Sequence, residues 1–439
     1  MKADFSVRPA YAWWVVFLLL IAYVVSFIDR QILALLIEPI KRDLDLNDTS
    51  ISLLHGFAFA VFYSTVGIPI GRLADYRSRR GIIAAGIFFW SLMTAACGLA
   101  RNFWHLLIAR FGVGVGEASL LPSAYSLIAD YFPPEKRGRA ISLLALGPFV
   151  GAGLAYILGG AVISLATATP ETNLPLLGPV APWRLTFFLV GIPGILLALL
   201  MLTVREPGRR EMAVLPGGSE TGQTISIVET VRFIRQRAGG YSMIFLSFAL
   251  ISMLSFAFFA WIPSFFIRSF GWSIPEVGLR FGLVVLIFGP LGTLSGGYLA
   301  DVLLSRGFTD AYIRTGMIAA LTMTVSSVFA VLMPSASGAL VMLAVAMFFH
   351  GMPVGLAPTA LQAVTPNQMR GQVNALFNLV VNVVGFGLGP IAVALVTDFI
   401  LGNPASLKYS LAIVSIVVGP MALLVLRYSI RPYMGMSSQ

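Results

Sequence analysis

Apolar residues run in twelve long blocks, at roughly 12–37, 51–71, 81–100, 103–130, 140–166, 184–205, 241–268, 276–300, 314–333, 338–365, 372–400 and 407–428. About 20 such residues cross a bilayer's hydrocarbon core as a helix, and each block reaches that length. The polar breaks are short except for one, Glu206 to Gly240. The pattern predicts an all-α membrane protein with two six-helix halves, 1–205 and 241–439, joined by a central loop at 206–240. An even number of spans puts both termini on one side.

Composition agrees. The chain is 58% apolar and 11% charged, against roughly 25% charged in a soluble domain. The net charge of +10 has a topological explanation, so nucleic acid is not an expected partner. Loops on the side of the termini hold 20 of the 29 Lys and Arg residues and the opposite loops 7. The positive-inside rule then predicts cytoplasmic termini, in a multi-pass protein of the cell (inner) membrane. The first block is too long, and too charged at Asp29-Arg30, for a cleaved leader. Within the central loop, Ile227, Val231 and Ile234 recur at helical spacing with Arg232 and Arg235 opposite. This predicts an amphipathic helix on the membrane surface. The Pro- and Thr-rich stretch from Pro170 to Pro182 predicts an irregular loop.

The halves carry related motifs. Gly71-Arg-Leu-Ala-Asp75-Tyr-Arg77-Ser-Arg79-Arg80 follows span two, and Gly297-Tyr-Leu-Ala-Asp301 follows span eight. Pro134-Glu-Lys-Arg137-Gly138 follows span four, and Pro366-Asn-Gln-Met-Arg370-Gly371 follows span ten. Such repetition marks an internal duplication with parallel halves.

The first motif resembles the cytoplasmic loop signature of the major facilitator superfamily, with Ser78 where the family prefers Gly. The resemblance implies the major facilitator fold and alternating access. It also implies that Asp75, Arg77, Arg79 and Arg80 tie span two to the neighbouring half as a gate. Positive charge that merely sets topology is the plainer reading, though it leaves Gly71 and Asp75 unexplained. Phe27-Ile-Asp29-Arg30 in span one and Gly112-Val-Gly-Val-Gly-Glu117-Ala-Ser119 in span four are similar to the Spinster branch. That branch implies proton-linked export of lysophospholipids and sphingolipid phosphates. Gly147-Pro148-x-x-Gly151 in span five resembles an antiporter motif in which Pro bends the helix.

The charges themselves point the same way. Asp29 lies about 16 residues into span one and Glu117 about 14 into span four, or roughly 24 and 21 Å deep at ~1.5 Å per residue. Charges at that depth are costly and mark ion or substrate pathways. Arg30 is the natural partner of Glu117, with Asp29 competing for it. Arg110, two turns before Glu117, is a second possible partner. If Arg30 swings between the acids, the unpaired one takes a proton. A static pair that fixes helix packing is the alternative.

In the second half, His350 sits in span ten, and Asn374, Asn378 and Asn382 form a stripe along span eleven. Phe259 and Trp261 belong to an aromatic cluster in span seven. These are possible cavity residues, or else helix glue and an ordinary aromatic belt. Nothing resembles a phosphate loop or a metal cluster, and Glu117 with Ser119 makes a poor nucleophile and base. The chain is therefore not read as an enzyme or as ATP-driven. The expectation is a monomeric proton-coupled carrier in the lipid bilayer, without cofactors other than the coupling proton. It would export a small amphipathic, lysophospholipid-like anion. A porter of small organic anions or sugar phosphates is the alternative.

Overall fold

A computed structural model describes residues 8–168, 173–174, 178–208 and 227–437. Twelve helices among them are long and apolar enough to cross a membrane: Pro9–Leu44, Asp48–Ala74, Arg79–Cys97, Phe103–Tyr131, Lys136–Thr167, Pro182–Met201, Ala238–Phe270, Ile274–Ser305, Ala311–Leu332, Ala336–Val364, Arg370–Ile400 and Pro404–Met436. These are spans one to twelve, and each overlaps one predicted block. Span one runs past its apolar block because Lys41 and Arg42 suit the negative end of the helix dipole. It stops at Asp45, which takes the left-handed conformation with φ 50°. Span five breaks at residues 145–146, just before Pro148, whose ring cannot supply the backbone N–H.

The chain packs as two compact units, residues 1–45 with 62–213, and residues 46–61 with 214–439. In the first, span one lies on spans five and six, and span three lies on spans four and six. In the second, span seven lies on spans eleven and twelve, and span ten on spans eight and nine. Glycines permit the tightest crossings. A Cβ on Gly292 of span eight would overlap the Phe348 carbonyl of span ten.

The start of span two groups with the second unit for specific reasons. Arg268 of span seven donates to both oxygens of Asp48, at 2.7 and 2.8 Å, and the Asp48 side chain is fully buried. Thr49 donates its backbone N–H and its hydroxyl to one oxygen of Asp398 of span eleven, both at 2.7 Å. The Phe386 ring meets His55, Phe59 and Phe256, with centroids 5.7, 5.4 and 4.9 Å away.

Two local expectations change. The stretch from 170 to 182 contains a short antiparallel ladder that pairs Asn173 with Pro179 and Leu174 with Gly178. The central-loop helix exists, as Ile227–Gln236, with Val228 and Val231 turned away from the protein, and it packs on the protein through other positions. Val231 is 46% exposed. Thr230 is buried, and the Phe233 ring meets Tyr241 at 5.9 Å with the Arg237 guanidinium 4.3 Å above it. Positions 230, 233 and 237 form the packed stripe, which turns the valines outward.

Candidate functional site

In the first unit Arg30 projects from span one toward span four. Its Nε donates to Glu117 Oε2 at 2.6 Å. The pair lies in a nearly closed interior, with side chains 7% and 0% exposed. Ser26, one turn before Arg30, donates its hydroxyl to the same carboxylate oxygen. The guanidinium carbon lies 4.8 Å from the Phe27 ring centre and 4.7 Å from that of Tyr63 in span two. Tyr23 lies near both Arg30 and Glu117, and Tyr125, 43% exposed, lies beside Tyr23 and Tyr63. The site is thus a guanidinium sandwiched by aromatic faces, which favour cations, and neutralised by one acid.

Asp29 points elsewhere. Adjacent helix residues are about 100° apart, and its carboxylate faces Thr94 and Trp90 of span three. Neither carboxylate oxygen is hydrogen-bonded. Arg110 donates to the Asp29 backbone carbonyl at 2.9 Å, not to a carboxylate. The structure therefore separates the two acids that the sequence reading placed in competition for Arg30. Glycines set the geometry. A Cβ on Gly151 of span five would lie 2.5 Å from the Phe27 Cβ, and one on Gly116 would lie 2.7 Å from the Trp90 Cβ. The Gly147-Pro148-x-x-Gly151 motif thus has a packing role, seating span five against span one.

The motif after span two forms a network inside the first unit. Arg79, buried to 1% exposure, donates to Asp130 at the end of span four, to the Ser126 hydroxyl at 3.0 Å, to Glu206 at 2.8 Å and to the Pro207 carbonyl at 3.0 Å. Arg80 donates its side chain to the Val204 carbonyl at 2.8 Å and its backbone N–H to Glu206 at 3.0 Å. Ser78 caps span three by accepting from the Gly81 N–H, and donates to Glu206 at 2.9 Å. Its hydroxyl thus gives the departure from Gly a use. These bonds of Arg79 and Arg80 join span two's loop to spans four and six, whereas the motif's resemblance implied the neighbouring half. Arg77 is exposed. A Cβ on Gly71 would lie 3.8 Å from the Pro122 Cβ of span four, an ordinary contact. The Asp75 side chain lies outside the described residues. Arg137 donates to the Phe132 carbonyl and Arg370 to the Thr365 carbonyl, both at 3.0 Å and both across five residues. The duplication is therefore visible in bonding as well as in sequence.

Glu206 has a pH signature. Burial pushes its carboxyl up, but hydrogen bonds from Arg79, Arg80 and Ser78 outweigh this and hold it below the usual range. A depressed carboxyl contributes stability that is full above its unfolded pKa, about 4.3, and is lost as pH falls through the folded value. The melting difference between the parent and Glu206→Gln should therefore be largest near neutral pH and shrink as the buffer is acidified below pH ~4. A difference that is constant with pH would show that the carboxylate charge contributes nothing.

In the second unit His350 is buried and bridges two serines, with Nδ1 2.8 Å from Ser255 Oγ and Nε2 3.1 Å from Ser327 Oγ. It is a satisfied interior histidine joining spans seven, nine and ten. Trp261 is fully buried, and its indole N–H donates to the Pro390 carbonyl at 2.9 Å. Trp261 is therefore a packing residue and does not line a cavity. Phe259 is 8% exposed. Asn378 is exposed and Asn374 and Asn382 partly so. Asn382 donates to the Asn378 carbonyl of its own helix at 2.8 Å, and the Asn374 amide oxygen is buried, so only Asn378 stands out in the stripe.

Sequence reasoning missed Ser26, Tyr23, Tyr63 and Tyr125. Ser26 and Tyr23 stand four and seven residues before Arg30, on its helix face, so the spacing held that signal. Nothing in the spacing pointed to Tyr63 or Tyr125.

Twelve membrane spans, duplicated halves and buried mid-span charges define a secondary transporter. The Major Facilitator Superfamily model matches residues 19–390, and the chain belongs to that superfamily. It is similar to a crystal structure of a bacterial homologue of the human lysosomal transporter Spinster, captured inward-facing and unoccupied. The TM-score is 0.81, with 27% identity and 98% of each chain covered. An MFS-type efflux pump of Mycolicibacterium smegmatis is 29% identical over 89% of this chain and 85% of its own. A probable L-galactonate transporter of Escherichia coli is 28% identical over 73% of this chain and 68% of its own. The protein is a multi-pass transporter and not an enzyme.

Proposed function

We propose that the chain is a proton-coupled carrier of an amphipathic, lysophospholipid-like anion, working by alternating access. The observation that carries this is the buried Arg30–Glu117 pair. A proton on Glu117 converts the carboxylate to a carboxylic acid and ends the ion pair. Arg30 stays charged at any accessible pH and then needs a new anion. The substrate's head supplies it, among the hydroxyls of Tyr23, Tyr63 and Tyr125. When Glu117 releases its proton, it reclaims Arg30 and expels the head. Proton and anion travel together in this scheme, so it does not use the exchange that the glycine motif suggested. Mid-span buried charge lies in the first unit, while the second buries Asp48 and Asp310 near span ends, which suits a substrate with one charged head. The excess of Lys and Arg on the side of the termini supports a plasma-membrane protein with cytoplasmic termini.

A second reading, transport of a polyhydroxylated sugar acid or sugar phosphate, is favoured by the tyrosine hydroxyls, by exposed Asn378 and by the similarity to the L-galactonate transporter. Proteoliposomes with an imposed pH gradient separate the two. Labelled lysophosphatidylglycerol should follow the gradient. Flux of labelled galactonate or a sugar phosphate alone would move the protein to the second reading. Flux indifferent to the gradient would remove the coupling.

A further inference from the structure

The helix Ile227–Gln236 turns a composite face outward. Thr230 is buried and Phe233 and Arg237 half-buried on its inner side, while Val228, Val231, Arg232 and Arg235 are all exposed. At about 100° per residue, these four fall within a sector of about 100°. Val228 is 63% exposed and Val231 46%. Each valine has an arginine one turn on, Val228 with Arg232 and Val231 with Arg235. The one acid of the helix, Glu229, stands on the flank, about 100° round from Val228.

The position of this face is fixed. Arg237 alone separates the helix from span seven, which begins at Ala238, and the helix also packs on span eleven. The patch is therefore held at the membrane boundary. Water would leave the valines exposed, and a protein core would strand the guanidinium charges. The boundary of an anionic leaflet accommodates both, because arginine stems lie along apolar surface while their heads reach phosphates.

We propose that this face is a binding site for anionic phospholipids of the leaflet on the side of the termini. Arg232 and Arg235 take the headgroup phosphates, and Val228 and Val231 lie against the upper acyl carbons. The site does not depend on what is carried or on protons. It does bear on the spans. The Phe233 ring meets Tyr241 of span seven at 5.9 Å. The Tyr241 hydroxyl lies 3.1 Å from the Val364 carbonyl and 2.9 Å from Thr365 Oγ1 at the end of span ten. Arg370, at the start of span eleven, donates to the Thr365 carbonyl at 3.0 Å. Lipid held by the helix thus braces the ends of three spans.

The test uses the full chain in nanodiscs of phosphatidylcholine with increasing phosphatidylglycerol. Cys97 is buried, so Val228→Cys takes an environment-sensitive thiol fluorophore at one accessible position. Emission should rise and shift to the blue as phosphatidylglycerol is added, and added salt should reverse this. An arginine near an anionic surface is worth about fivefold in association. Arg232→Gln and Arg235→Gln should therefore each move the midpoint to a severalfold higher phosphatidylglycerol content, and the double variant should lose the response. A label at Val231→Cys repeats the measurement if the Val228 variant does not fold. A probe that stays in water at every composition would overturn the proposal. So would a probe immersed equally in pure phosphatidylcholine, which marks apolar contact without headgroup recognition, or a response that the double variant keeps.

Discussion

Glu117→Gln is expected to abolish proton-driven accumulation of substrate while leaving substrate counterflow intact. Gln keeps the shape of a protonated Glu and cannot lose a proton, so the variant is fixed in the state that frees Arg30. Ser26 retains an acceptor in the amide oxygen, and the Phe27 and Tyr63 rings still hold the guanidinium. Substrate anion then binds without competition from a carboxylate. A charge-assisted hydrogen bond is worth more than a neutral one, and about 1.4 kcal/mol corresponds to tenfold in affinity. Apparent affinity should therefore rise by about an order of magnitude at neutral pH, while the accumulation ratio falls to equilibrium. Counterflow of labelled substrate in proteoliposomes measures the first quantity, and uptake under an imposed pH gradient measures the second. Normal accumulation by the variant would mean that the buried pair only braces spans one and four.

The second large effect concerns stability. Arg79 is 1% exposed and binds two carboxylates, Asp130 and Glu206. Removing one partner of a buried ion pair typically costs about 3–5 kcal/mol, because the remaining charge is left uncompensated. Arg79→Gln takes the guanidinium from both, although Glu206 keeps the Ser78 hydroxyl and the Arg80 N–H. It also removes donors from the Ser126 hydroxyl and the Pro207 carbonyl, so the start of span three loses its anchor to span four and to the chain after span six. Thermal unfolding in detergent should show the largest drop in midpoint of any single change in the loop motif. Arg79→Lys should recover only part, since an ammonium supplies charge without the planar fork. An unchanged midpoint would show that solvent and the remaining donors compensate the two carboxylates.

Twelve spans were legible because a bilayer demands long unbroken apolar runs, and nothing else in the chain competes with that signal. Glu117 and Arg30 were legible because mid-span charge is expensive and therefore rare. Their partners were harder to read. Asp29 and Arg30 are adjacent in sequence but face different helices, and only the packing of span three decides that Asp29 meets Trp90 and Thr94. Tyr63 looks like an ordinary membrane aromatic until span one places Arg30 beside it. Trp261 read as a possible cavity residue because apolar aromatics carry no label for inside or outside. The Arg79 network was invisible as geometry, since Asp130 and Glu206 lie 51 and 127 residues away in sequence.

The grouping of residues 46–61 with the second unit bears on how the protein is made. Span two is synthesised long before spans seven and eleven. Until Arg268 emerges, the Asp48 carboxylate lacks the guanidinium that compensates it, and Thr49 lacks Asp398. The backbone at Gly56, where a Cβ would overlap the Phe386 carbonyl, has no surface to meet. The first half therefore cannot complete its packing during its own insertion into the membrane, and waits for the last third of the chain. A polypeptide severed in the central loop would divide the protein across this seam, leaving a leading fragment that carries part of its sibling's interior. Such fragments have a built-in reason to find each other, and each is a poor folding unit on its own.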